Sequence, residues 1–295
     1  IGVLVNLAVV PLVHEISKAS DLNANKRLLS SAISRGFCTC TIWSPTMASI
    51  AVIIQLTGAK WQLFFPFAFL SGVLIGLVGY LLTMYEEKRD GQQELPAVAV
   101  PVKGINYRKV IELSMFGIIL ITGIALISLL TGMHTVLVVS LAALLFPVIW
   151  LAVIKRLPVL LREFKGDYFH SSLPSLKNEI ILFVGAGLFA ASITYSHLGD
   201  YVPLALSKLV GTNALLFTVV VIFTSACLGA LGVHPIVTVT VVGGTVNAST
   251  FGVSSTYLAM VLAASWTMSI CISPSSANII AVAGLTGQSP VQVGP

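Results

Sequence analysis

Two serine–proline steps inside apolar sequence, Ser44-Pro45 and Ser273-Pro274, are the residues whose types best suit chemistry. Proline removes a backbone donor and clashes with the preceding turn, so a helix breaks where it stands. Serine before it is a good N-cap, and proline is favoured at the first helical position. Each step is therefore expected to start a fresh half-helix, with backbone N–H groups and a positive dipole end that suit an anion. The unwound carbonyls just ahead suit a dehydrated cation. Oxygen atoms crowd both places: Thr39, Thr41, Ser44, Thr46 and Ser49 at the first, and Ser269, Ser273, Ser275, Ser276 and Asn278 at the second. Hydroxyl, amide and carbonyl oxygens are hard ligands, which makes Ser44, Thr46, Ser273 and Asn278 candidates for holding Na⁺. Small hydroxyl residues also let helices pack closely, so the expectation rests on two matched clusters and not on any single serine.

The match extends beyond the Ser-Pro steps. SPTMASIAVIIQLTG at residues 44–58 and SPSSANIIAVAGLTG at residues 273–287 share 7 of 15 residues without a gap, at an offset of 229. At the same offset Ala19-Ser20 meets Ala248-Ser249. An internal repeat is the expectation.

The elements that must position these residues are set by composition. Hydrophobic residues make up 56% of the 295-residue chain and charged residues only 9%, against about 25% charged in an average globular domain. Mean hydropathy is +0.97. Such a chain cannot cover a soluble surface, and its apolar stretches are too long for barrel strands, so an all-α polytopic membrane protein is predicted. Crossing ~30 Å of hydrocarbon needs roughly 20 residues. Apolar stretches of that order lie at 36–58, 61–85, 109–131, 134–154, 179–198 and 255–287. Residues 213–246 are apolar for too long for one crossing and are punctured by Gly229, Gly232, His234 and Pro235, which predicts a re-entrant hairpin of two short helices. The apolar run at 1–13, ended by His14 and Glu15, is read as the trailing arm of a matching hairpin. Because the chain opens inside an apolar run, a piece of a longer protein is expected.

Three polar loops, 14–35, 86–108 and 155–178, separate the spans. They and the residues bordering them hold 14 of the 16 basic residues; Lys60 and Lys208 are the others. By the positive-inside rule these loops are cytoplasmic, in a cell (inner) membrane. The run at residues 155–165 is amphipathic and reads equally as a surface helix or an ordinary connection. With six spans and a hairpin that returns to its own side, segment 36–58 runs outward and 255–287 inward. The two copies are then inverted, an architecture of secondary transporters. The organisation expected is 1–58 as the second part of repeat 1, 59–108 as a transmembrane helix and linker, and 109–295 as repeat 2.

Other chemistry is thinly represented. All eleven Asp and Glu residues lie in loops or near segment ends, Glu112 and Glu179 being the deepest. A proton relay in the membrane needs a carboxylate or histidine, and only His234 is placed for that, though a structural, hydrogen-bonded role is equally open to it. Cys38, Cys40, Cys227 and Cys271 show no CxxC pair, so neither a disulfide framework nor a zinc site is expected. Cys38 and Cys40 are two apart on a helix and face different ways. No GxSxG or HExxH motif supports an intramembrane hydrolase; the chain is not expected to be an enzyme. Basic residues are scattered, which excludes a nucleic-acid face. Gly72-x-x-x-Gly76 can serve as a close helix contact or as a dimer seam.

A hairpin and a broken helix, then scaffold helices, then an inverted hairpin and broken helix: on residues 36–58 and 230–287 this layout resembles the ion transporter superfamily. That group includes divalent anion:sodium symporters, citrate-type carriers and arsenite permeases. The resemblance implies homodimers, elevator-type alternating access, and a solute held between hairpin tips and helix breaks. By position it puts Gly232, Val233, His234 and Pro235 at the second tip, Thr238 and Thr240 on the following arm, and Asn6 near the first tip. The Ser-Asn-Thr typical of symporter tips is at neither. The expected activity is secondary transport of a small, anionic solute such as a di- or tricarboxylate, coupled to Na⁺ or H⁺, with no other cofactor. An efflux permease or a cation/proton antiporter on the same scaffold is the alternative.

Overall fold

The computed structural model describes residues 26–90, 107–172, 174, 177–274 and 276–293. Among these residues every regular element is helical and none is a strand. Asn6, Ser275 and the apolar run at 1–13 lie outside the described residues. The first interrupted helix consists of α1 (Lys26–Thr41) and α2 (Ala48–Thr57). Then follow α3 (Trp61–Asp90), α4 (Tyr107–Thr131), α5 (Thr135–Val153) and α6 (Leu157–Glu163), the last continued by a π-helical stretch to Ser172. Next come α7 (Lys177–Tyr195), α8 (Tyr201–Val210), α9 (Ala214–Ala230) and α10 (Pro235–Thr245). The second interrupted helix is α11 (Ser255–Ile272) and α12 (Ala277–Thr286), and α13 (Pro290–Val293) closes the series.

Three segments are long and apolar enough to cross a membrane: Trp61–Glu86, Thr135–Val153 and Ser255–Gly284. They differ in surroundings. Only 6% of the α5 window is buried, against 56% of the α11–α12 window. α5 thus offers its apolar surface outward on nearly every side, whereas α11 is the centre of the core. α9, α10, α1, α2 and α3 all pack against α11. Small residues permit this: a Cβ on Gly229 of α9 would come within 3.0 Å of the Ser269 Cα and 3.1 Å of its carbonyl oxygen on α11. α4 and α5 pack on each other, and Gln62 of α3 ties α4 in by donating to Ser128 Oγ at 2.8 Å.

One expected boundary needs correction. Residues 26–35 were read as part of a polar loop because Lys26, Arg27 and Arg35 mark them; they are the first turns of α1. Ser30, Ile33, Ser34, Phe37, Cys38 and Thr41 recur every three or four residues and are all buried. That is one helical face, and the charges occupy other positions around it.

α1 lies antiparallel along α3, and glycine sets how close they come. A Cβ on Gly72 would stand 2.6 Å from Trp43 Cδ1 and 2.9 Å from the Thr39 carbonyl oxygen; one on Gly76 would stand 3.3 Å from Thr39 Cγ2. Farther along, Arg35 donates to both carboxylate oxygens of Glu86, at 2.9 and 2.8 Å, and to Thr83 Oγ1 at 3.1 Å. The Gly72-x-x-x-Gly76 spacing is therefore a helix contact within the chain. Trp43 then packs edge-on to Phe65 and Phe69, with centroids 5.9 and 5.1 Å apart.

This seam predicts a contrast between glycines. Gly72→Ala forces a methyl against a backbone carbonyl and should destabilise by about 1–3 kcal/mol, the usual cost of overpacking. Gly36→Ala, on α1 with open space around the new Cβ, should be neutral or stabilising by up to roughly 1 kcal/mol. Thermal melting of the detergent-solubilised variants checks both. Equal melting temperatures would contradict the seam.

Candidate functional site

Both helix breaks sit in the core, but the half-helices start later than the Ser-Pro steps suggest. α2 begins at Ala48 with Met47 at the N-cap, and α12 begins at Ala277 with Ser276 at the N-cap. Ser44 and Ser273 are therefore not N-caps, and Pro45 and Pro274 are not first helical residues. The reason is steric: a residue before proline is pushed out of the α region, and Ser273 accordingly has φ −70°, ψ 118° and ends α11. The prolines sit in the turns, and each new helix starts three residues after its proline.

The two turns are built alike. Ser44 N–H donates to Cys40 O at 3.1 Å and Met47 N–H to Ser44 O at 3.1 Å; Ser273 N–H donates to Ser269 O at 2.8 Å and Ser276 N–H to Ser273 O at 3.1 Å. Each of these residues stands 229 positions from its counterpart. Both following helices end on a glycine in the left-handed region, Gly58 at φ 64° and Gly287 at φ 70°, where a side chain would be strained. One difference follows from sequence. The carbonyls of Thr41 and Ile270 lose their partner N–H because residues 45 and 274 are prolines. Ser276 Oγ donates to Ile270 O at 2.9 Å, whereas Met47, at the matching place, has no hydroxyl to give Thr41.

Of the predicted site residues, Ser44, Ser49, Thr238, Ser273, Ser276 and Asn278 are buried. Ser44 Oγ and Thr46 Oγ1 are hydrogen-bonded at 2.8 Å. Asn278 is bonded elsewhere, its Nδ2 donating to Ser34 Oγ at 3.0 Å. Its Oδ1 is buried without a hydrogen-bond partner among the described residues, an acceptor at the first turn of α12. The contacts that bring the two interrupted helices together lie on their flanks: Ser34–Asn278, Ser30 Oγ to Gln288 Oε1 at 2.7 Å, and Thr41 to Thr267 at 3.1 Å between hydroxyls. Along these contacts the sequence rises on one partner as it falls on the other, so the two run antiparallel. Ser30, Ser34, Thr267 and Gln288 were not foreseen. The first two fell in a presumed loop, and the burial rhythm of α1 was the signal that could have found them.

Cysteine pairing also needs correction. Cys38 and Cys271 are joined as a disulfide, with Cα atoms 6.7 Å apart. No local motif announces it because the partners are 233 residues apart and come from different interrupted helices.

The segment expected to be a hairpin contains α9, a turn and α10. Gly232 in that turn has φ +88°. His234 caps α10: its Nδ1 accepts from the Ile236 N–H at 3.2 Å, and Pro235 takes the first helical position. The imidazole stands edge-on to Trp266 of α11, 5.7 Å between centroids. Thr240 Oγ1 turns back on its own helix, donating to Ile236 O at 2.7 Å. α10 packs on α2 and α11, so the turn and both breaks belong to one cluster of elements. The largest cavity is elsewhere: ≈ 310 Å³ between α4 and α5, lined by apolar residues such as Ile119, Leu141 and Phe146. With no polar group to fix a charged solute, it suits hydrocarbon.

The Ser34–Asn278 bond is open to a double-mutant cycle. Each single change to alanine strands the other buried group, and the coupling between them should be about 0.5–1.5 kcal/mol. Strictly additive melting data would show that the bond does not form. Comparison with family models, with curated proteins and with solved structures finds no match to this chain.

Proposed function

We propose that this protein is a secondary active transporter for a small anionic solute, of the di- or tricarboxylate class, coupled to Na⁺ or H⁺. The observation that carries this reading is the correspondence of the two breaks. Helix starts at 48 and 277, turn hydrogen bonds and left-handed glycines repeat at one offset, and the two copies run antiparallel where they touch. An inverted repeat of broken helices places two half-sites around one point, the arrangement alternating access needs. The layout agrees with the resemblance to the ion transporter superfamily and with elevator-type movement in a homodimer.

In this reading Asn6, Ser44, Thr46 and Ser49 form one half-site. Ser273, Ser275, Ser276, Asn278 and Thr238 form the other, closed by the turn at Gly232, His234 and Pro235. The first turns of α2 and α12 present backbone N–H groups to the anion. The hydroxyls, the Thr41 carbonyl and the unpartnered Asn278 Oδ1 supply oxygens to the cation. Loops 14–35, 86–108 and 155–178 face the cytoplasm; the pairing of Arg35 with Glu86 supports one side for the first two.

Uptake of labelled succinate and citrate into proteoliposomes of the full-length protein, under an inward Na⁺ or H⁺ gradient, tests the proposal. Ser44→Ala and Thr46→Val each remove one hydroxyl oxygen. Loss of a hydrogen bond to a charged group costs about 1.5–3 kcal/mol, so uptake should fall ~10- to 100-fold with the melting temperature unchanged. Full uptake in both variants would reject the site. Gradient-driven loss of solute from preloaded vesicles, with no uptake, would point to an efflux carrier.

A further inference from the structure

Cys38 and Cys271 join the two interrupted helices where they cross. Cys271 is the next-to-last residue of α11, two before Ser273, and Cys38 is one turn before the end of α1. The Thr41–Thr267 hydroxyl contact at 3.1 Å marks the same crossing. Each helix leads from there straight into its Ser-Pro turn. The two sulfurs are not equivalent: Cys38 is 1% exposed, whereas Cys271 is only partly buried. Of the other cysteines, Cys40 lies 3.9 Å from the Thr39 hydroxyl and Cys227 is exposed on α9.

We propose that Cys38–Cys271 is a reversible redox staple between the two interrupted helices, closed and opened through Cys271 by exchange with a low-molecular-weight disulfide or dithiol. Exchange requires a thiolate to reach a disulfide sulfur, and the accessible member of the pair is Cys271. In closing, the Cys271 thiolate attacks an external disulfide RSSR, forming a mixed disulfide and releasing RS⁻. The Cys38 thiolate then attacks the Cys271 sulfur and releases the second RS⁻. The two thiol protons end on two RSH molecules, and two electrons pass from the cysteines to RSSR. In opening, a dithiol attacks the Cys271 sulfur, frees Cys38, and leaves as its own cyclic disulfide. A closed staple fixes the spacing of the helix ends that lead into Ser44-Pro45 and Ser273-Pro274. That last consequence, unlike the pairing itself, rests on the proposed function: the redox state would then set the spacing of the two half-sites.

The test uses full-length protein in membranes, alkylated with N-ethylmaleimide, then reduced and labelled with a second reagent for peptide mass spectrometry. Cys38 and Cys271 should take only the second label, and Cys227 the first. In Cys38→Ser, oxidised glutathione should add to Cys271; in Cys271→Ser, Cys38 should stay unmodified. Reduction should lower the wild-type melting temperature by on the order of 5 °C and leave both variants unmoved. Maleimide on Cys38 and Cys271 even after treatment with oxidised glutathione would overturn the staple, as would a wild-type melting temperature indifferent to reduction. Glutathione on Cys38 as readily as on Cys271 would overturn the route. The wild-type labelling and melting hold even if a serine variant fails to fold. None of these readouts involves transport, so a failure of the uptake experiment leaves them standing.

Discussion

An interrupted helix inside an apolar core leaves backbone groups that water cannot reach, and the rest of this fold is arranged around two such interruptions. Proline at 45 and 274 removes the N–H that would have met a carbonyl one turn earlier. In hydrocarbon such a gap is tolerated only where protein buries it or a polar cavity reaches it. The chain meets that demand by setting the two breaks in the same core: α1 lies against α11 and α12, α2 against α10 and α11. Around this pair the helices become progressively less buried, ending in α5, whose apolar surface is almost entirely outward.

Two kinds of contact hold the centre. Where helices must approach closely, side chains are removed, as at Gly72 against Thr39 and Gly229 against Ser269. Where they must stay in register, short polar side chains pair across the crossing: Ser30 with Gln288, Ser34 with Asn278, Thr41 with Thr267. Polar pairs of this kind are worth little individually in a membrane. They are specific in register, however, because a slip by one residue would strand both partners. The antiparallel disposition of the breaks follows from that register.

Much of this was legible in the residues. The apolar runs at 61–85 and 134–154 became α3 and α5, and the turn near Gly232 and Pro235 separates α9 from α10. The 229-residue offset gave the matched breaks, down to Gly58 and Gly287. Three features escaped for physical reasons. α1 was shortened because Lys26, Arg27 and Arg35 masked a buried face of small residues. The caps were displaced by three residues because proline's effect on the preceding residue overrides serine's preference for the N-cap. The Cys38–Cys271 pairing and the Ser34–Asn278 bond join segments over 230 residues apart, which periodicity along one helix cannot reveal.

The central claim is that the oxygens at these two breaks hold a cation, and its direct measurement is a melting temperature. Purified full-length protein would be melted in NaCl and in KCl and choline chloride of equal strength. A ligand bound only by the folded state stabilises it by RT ln(1 + [L]/Kd), about 2.7 kcal/mol at 100-fold excess. The account predicts a rise specific to sodium, diminished in Thr46→Val. The same melting temperature in all three salts would contradict it.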